Sequence, residues 1–195
     1  MVVGPDKKRF IVHTYVLVQS SDFLKACCNG ADERKETASR TAELPEANVE
    51  AFLVYLHWPY SNELVVENED KVEECRDLDV ATRARLSFQI WKPLHALAVM
   101  GGQLSNIAFS NAVIDRMVRT REAIHVIPTQ YIKRMYEELP PTTPIRRLLV
   151  DLWISKAQEG MAEEYKQQLT HDFLIDLVTG YDKVLRKKTI KKEPS

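Results

Sequence analysis

The stretch RFIVHTYVLVQSSDFLKACCNG, Arg9 to Gly30, decides how the rest of the chain is read. It sets His13 ahead of an adjacent cysteine pair, Cys27 and Cys28, with Ser20-Ser21 between them. A thiolate needs a base or a positive neighbour to react at neutral pH, so His13 with Cys27 or Cys28 is a candidate nucleophile–base pair. The local pattern argues the other way. Phe10-Ile11-Val12 are strand formers, and Ser20 or Ser21 stands where a helix cap belongs. Phe23, Leu24, Cys27 and Cys28 then share one helical face, and Gly30 is a stop. Cysteine on an apolar helix face behaves as a small hydrophobe.

Outward from this stretch, Val2-Val3 and Phe10-Ile11-Val12 read as two strands around the turn Gly4-Pro5-Asp6. TAELPEAN supplies a third strand. Asn48 caps a helix with Val49, Phe52, Leu53 and Leu56 at i, i+3, i+4, i+7, and Pro59 ends it. From Glu63 to Asp79 the chain turns acidic, and residues 67–85 read as a solvated loop with little to bury. Everything after that is helical. Leu94, Leu97 and Ala98 form one stripe, and Ile107, Phe109, Val113 and Met117 the next. Thr129 caps a helix carrying Ile132, Met135, Tyr136 and Leu139, closed by Pro140-Pro141. In TPIRRLLVDLWISKA, Thr143 is a cap and Pro144 the first helical residue. Ile145, Leu148, Leu149, Leu152 and Trp153 complete its stripe. A last helix starts near Thr170 with Leu174, Leu177, Val178 and Tyr181, and the basic tail KVLRKKTIKKEPS should fray. A small mixed part followed only by helices is an α+β fold.

Composition narrows the function classes. The 195 residues are 45% apolar and 28% charged with a formal net charge of −1, so no global field draws the protein to nucleic acid. No apolar run approaches a membrane span, and Met1 does not open a signal-peptide pattern. Three cysteines argue against a disulfide framework and for an intracellular, reducing compartment, nuclear or cytoplasmic. Cys27 and Cys28 diverge on a helix, Cys75 stands alone, and His57, His95, His125 and His171 are scattered, so no metal-ligand spacing exists. Gly101-Gly102 lacks the pattern of a phosphate loop, and no cofactor is expected.

With these elements in order, the sequence resembles the BTB (POZ) domain family, and its fungal members in particular. VGPDKKRFIVH resembles that family's strand–turn–strand entry, and VLVQSSDFLKACCNG its next helix. AELPEANVEAFLVYLHWPYSNEL is similar to the strand and helix that follow, and LHALAVMGGQLSNIAFSNAVIDRMV to the closing helical hairpin. TPIRRLLVDLW, after YIKRMYEELPP, is similar to an extension found in the fungal subgroup. The resemblance implies a BTB domain over residues 1–123 with an acidic insertion at 67–85, a helical extension over 124–182 and a basic flexible tail over 183–195. Phe10, His13, Ser21 and Phe23 carry the signature, with Thr14 and Leu24 departing from it. His13 would then be structural, closing the strand–helix junction by hydrogen bonding.

The same resemblance implies a non-enzymatic protein-interaction module that associates with itself or with another protein. Members of the family often exchange a segment that precedes the first hairpin; here Met1 stands almost inside that hairpin, so an exchange of that kind is not expected. Other members dock a cullin scaffold of a ubiquitin ligase through an apolar-x-Glu motif. The nearest match here is Ala31-Asp32-Glu33, in which alanine offers little area to bury, where a larger side chain gives about 1.5–3 kcal/mol. Lys187, Lys188, Lys191 and Lys192 in the tail are an import or modification candidate. Ile190-Lys191-Lys192-Glu193 fits a short acceptor pattern for a ubiquitin-like modifier, SUMO, and the alternative for all four lysines is a solvated terminus.

Overall fold

The computed structural model describes residues 1–13, 15, 21–29, 42–66 and 69–190. In it, β1 (Val2–Val3) pairs antiparallel with β2 (Lys8–Arg9) and parallel with β3 (Glu43–Leu44), giving the sheet order β2–β1–β3. The second strand is thus Lys8–Arg9, not the more β-prone Phe10-Ile11-Val12. The four-residue turn sets the register, pairing Val3 with Lys8 and Val2 with Arg9. Gly4 makes that turn feasible: its φ is +79°, and a Cβ there would come within 2.8 Å of Val49 Cγ2. Phe10 still closes the ladder, its N–H donating to Met1 O at 2.8 Å.

Ser21 caps α1 (Asp22–Asn29), its Oγ accepting the Leu24 N–H at 3.2 Å, while Ser20 lies outside the described residues. Of the residues read onto that helix's apolar face, Leu24 is fully buried, whereas Phe23 is 36% exposed. Asn48 caps α2 (Val49–Ser61), its Oδ1 accepting the Ala51 N–H at 2.8 Å. The buried face of α2 is Ala51, Phe52 and Tyr55; Leu53 is exposed, and Val49 and Leu56 are half-buried. Aromatic pairs fix that rotation, because Phe52 meets Phe10 edge-on at 5.2 Å and Tyr55 meets Phe109 at 5.1 Å. Pro59 does not end the helix. It sits in the last turn, and the stop comes at Asn62, left-handed at φ 55° with its N–H on Trp58 O.

The acidic segment is structured, against the loop read for residues 67–85. Glu69–Glu74 form α3 and Cys75–Asp77 a 3₁₀ turn. Val72 and Cys75, three apart, are both buried, while Glu73, Glu74 and Asp77 stay in water. Two buried side chains suffice to anchor a segment whose charges face out. Asp79 then caps the 24-residue α4 (Val80–Gln103), accepting from the Ala81 and Thr82 amides at 3.0 Å each.

α4 is the spine. Ile90, Trp91, Leu94, Leu97 and Ala98 are buried along it, and α2, α5 (Ile107–Ile124) and α6 (Thr129–Glu138) all pack on it. α5 buries Phe109, Val113 and Met117, but Ile107 is 79% exposed. Two residues before Phe109 is roughly 200° around the helix, which takes Ile107 off the stripe. α6 buries Ile132, Met135 and Tyr136, with Leu139 buried just beyond. Its cap position is Pro128, and Thr129 is instead the buried first helical residue.

α7 (Pro144–Lys156) buries Ile145, Leu149, Leu152 and Trp153, with Leu148 half-buried. After the short α8 (Met161–Glu164), Thr170 Oγ1 accepts the Phe173 N–H and opens α9 (His171–Ile190). The stretch from Lys183 to Ile190, read as a flexible tail, continues this helix. α9 turns Phe173 and Leu177 inward, not Leu174, Val178 and Tyr181. Gly180 sets the approach, since a Cβ there would lie 2.7 Å from Ile154 Cδ1 and 2.8 Å from Val150 Cγ1 of α7.

Candidate interaction surfaces

The signature residues fall in different environments. Phe10 packs on Phe52, and Ser21, buried, both caps α1 and donates to the Leu104 carbonyl at the end of α4. One serine therefore ties the first helix to the spine. Phe23 lies over a shallow hollow of about 250 Å³ beside Leu44 and Pro45. His13 is exposed, with no hydrogen bond to another described residue. Ala31, Asp32 and Glu33 lie outside the described residues, as do Lys191 and Lys192, the whole tail beyond Ile190, and the side chains of Cys27, Cys28, Lys187 and Lys188.

Burial shifts three titratable groups inside the fold, Cys75, His95 and Tyr136. Cys75 is a buried free thiol, and burial pushes its pKa up, away from the thiolate. His95 Nε2 lies 3.3 Å from Glu138 Oε2, near enough for an ion pair but not aligned for a hydrogen bond. Burial lowers the His95 pKa against the raising pull of Glu138, with Arg134 adding to the lowering. Tyr136 is pushed well up by burial and by its hydrogen bond to Asp176 Oδ2 at 2.8 Å. Among the described residues no three His, Cys, Asp or Glu side chains converge as metal ligands.

A cleft of about 870 Å³ lies between the end of α2, the 62–66 segment, α3 and α5. Trp58, Leu64, Val66, Ala108 and Ala112 give it an apolar floor. Its rim mixes Lys71, Arg116 and Arg119 with Glu63 and Asp115, and Asn62 and Asn111 add amide groups. The Trp58 ring is fixed edge-on to Phe109 at 5.5 Å, and its buried Nε1 has no hydrogen-bond partner among the described residues. Among the described residues that line this cleft there is no histidine, cysteine or serine. Sequence reading missed it. WPYSNEL read only as a helix end, and nothing in that string announces that α5, some fifty residues later, forms the opposite wall.

A third surface is the outer side of α9. Leu174, Ile175, Val178, Tyr181 and Leu185 are all exposed there. Single exposed apolar residues are ordinary, but five on one helix make a patch of the kind that marks a contact site.

The described residues thus combine a three-stranded mixed sheet, a helical spine and open apolar surfaces. Residues 1–91 match the family model of the BTB/POZ domain. A BTB/POZ domain is a protein–protein interaction module. Comparison with curated proteins gives no match, and comparison with solved structures gives none.

Proposed function

We propose that this chain is a non-enzymatic interaction module of fungal type that acts by self-association or as a scaffold for another protein, inside the cell. The match of residues 1–91 to the BTB/POZ domain carries the reading. The exposed apolar surfaces support it, and so does the way the fold buries its one described free thiol. The intracellular placement rests on the odd cysteine count and the absence of a disulfide framework. Adaptation to a cullin scaffold through Ala31-Asp32-Glu33 ranks second, and import or modification at Lys187, Lys188, Lys191 and Lys192 rests on sequence alone.

Light scattering on a size-exclusion column, from low to high micromolar, tests the reading. A mass of twice 22.5 kDa makes self-association the leading role. A monomer at every concentration directs the search to a different partner, beginning with a cullin scaffold in a pull-down. Binding to no protein in a proximity-labelling survey would sink the proposal. The cysteine-enzyme alternative is separated by thiol alkylation at neutral pH read by peptide mapping. Cys75 is expected to stay unlabelled until the protein is unfolded, and rapid labelling of the Cys27–Cys28 peptide with loss of a measurable turnover would favour chemistry instead.

A further inference from the structure

The seam between α4 and α6 brings together an aromatic ladder and a set of unpaired cations. Arg85, Phe88, Lys92 and His95 follow one another along α4 at spacings of three, four and three, so they share a face. Tyr131, Arg134 and Glu138 do the same on α6. The Phe88 ring stacks on Tyr131 with centroids 5.4 Å apart, and the His95 ring lies 5.3 Å from the same tyrosine. Tyr131 Oη donates to the Phe88 carbonyl at 3.1 Å and Gln130 Nε2 to Ser87 Oγ at 3.2 Å, which holds the two helices in this register. Phe88 is still 46% exposed. We propose that this seam docks an acidic segment of a partner protein, with Phe88 meeting an apolar side chain and Arg85, Lys92 and Arg134 meeting its carboxylates. The proposal rests on the scaffold reading and names its surface and the chemistry of the partner.

Charge selects this occupant. Arg85, Lys92 and Arg134 are exposed, and none of them makes an ion pair with a described residue. Arg134 is near enough to His95 and Tyr131 to lower the pKa of both, which puts its guanidinium beside the ladder. The carboxylates of α6 are engaged. Glu138 Oε2 faces His95 Nε2 at 3.3 Å, and Glu137 pairs with Lys133 at 3.9 Å. Cations on the shared face therefore outnumber Glu138, the carboxylate among them. One exposed ion pair is worth little, but several cations around an apolar anchor steer an acidic segment and fix its register. The α2–α5 cleft makes no such choice, since Glu63 and Asp115 offset Lys71 and Arg119 around its rim. Nucleic acid fits less well, because Glu137 and Glu138 would stand against its phosphates and the whole chain carries a net charge of −1.

The test uses the full chain and a short fluorescein-labelled peptide of glutamates around a central Leu-Phe pair, followed by anisotropy. Binding should saturate, weaken as salt is raised, and vanish when glutamine replaces every glutamate of the peptide. Lys92→Glu combined with Arg134→Glu should weaken it about tenfold, and Phe88→Ser about fivefold. Circular dichroism should be unchanged for the charge variants, because both side chains are exposed. Carbodiimide coupling then maps the place, with the peptide expected to crosslink to Lys92. No saturable binding, crosslinks confined to Lys187, Lys188, Lys191 and Lys192, or indifference to the two charge reversals would each overturn the seam. Tighter binding to an oligouridine than to the peptide would make it a nucleic-acid contact instead. A salt-sensitive dimer of the native chain that Arg134→Glu abolishes would make the occupant a second copy. Proximity labelling separates this proposal from the reading it rests on. Partners kept by the doubly reversed variant overturn the seam alone, whereas a native chain that labels nothing overturns both.

Discussion

α7 and α9 pack against each other and both carry apolar residues at helical spacing, yet the fold uses them differently. α7 buries Ile145, Leu149, Leu152 and Trp153 and leaves little apolar surface outside. α9 buries Phe173 and Leu177 and leaves a second stripe in water. The contrast separates two meanings of amphipathic periodicity. In α7 the stripe is a core face saturated by α6 and α9, and in α9 it is partly a surplus that no described element covers. A surplus of that size on an interaction domain is where a partner belongs.

The sharpest way to break the comparison is at Phe173. Its ring meets Tyr136 edge-on at 5.5 Å and Trp153 at 5.6 Å, fully buried between α6 and α7. Phe173→Ala should cost about 3–5 kcal/mol in urea unfolding. It should also release amide protection along α9 before α7 is affected. A cost like that of an exposed site would mean that α9 is not anchored here at all.

Next comes the polar joint that locks α6 to α7. Arg146 is buried, and its guanidinium donates to the Tyr136 and Leu139 carbonyls and stacks 4.4 Å from the Tyr136 ring centroid. It thereby satisfies the carbonyls that a helix end leaves open. Arg146→Ala should cost about 1.5–3 kcal/mol through the lost charge-assisted hydrogen bonds. Arg146→Lys should recover only part of this, because an ammonium cannot reproduce the planar fork or the stacking.

These two residues also show what sequence discloses. The first strand and the turn after it, the Ser21 and Asn48 caps, and the stripes of α4, α6 and α7 were legible, because each rests on local spacing or on one side chain beside one backbone amide. The choice of stripe on α9 was not. Leu174, Leu177, Val178 and Tyr181 fit a helical period as well as Phe173, Leu177 and Gly180 do, and tertiary contacts decide between them: Phe173 with Tyr136 and Trp153, and the close approach of Gly180 to Val150 and Ile154. Glycine reads as a gap in an apolar pattern, yet here it marks the closest approach. The acidic segment failed for a related reason: its charges outnumber Val72 and Cys75, but two side chains at helical spacing were enough to fold it. Arg146 was hidden inside an apolar stripe, and the α2–α5 cleft has walls far apart in the chain. Of the signature residues, Phe10 and Ser21 make the contacts described, while Ala31, Asp32 and Glu33 lie outside the described residues.

A smaller effect sits where α4 meets α6. His95 lies 5.3 Å from the Tyr131 ring centroid, and burial holds its pKa below its ordinary value of 6.5. The folded state therefore takes up that proton less readily than the unfolded chain. Its full contribution to stability is present above about pH 6.5 and declines as pH falls towards the lower folded-state value. Melting temperature followed from pH 7.5 down to 5.5 should fall more steeply for the native chain than for His95→Gln. Parallel curves would show that Glu138 fully offsets the burial.

The smallest expected effect bears most directly on the contrast between the two helices. Val178→Ser removes apolar surface that the isolated fold does not use, so in dilute solution stability should change by no more than about 0.5 kcal/mol. Leu149→Ala, on the saturated stripe of α7, should cost about 2–5 kcal/mol under the same conditions. Concentration then separates a spare surface from a working one. A contact between copies stabilises the native state by mass action, so the native melting temperature should rise with protein concentration. That of Val178→Ser should rise less, and the gap between the two should widen from low to high micromolar. If the gap stays constant, the second stripe of α9 contributes nothing to pairing, and its four apolar residues are surface without a partner copy.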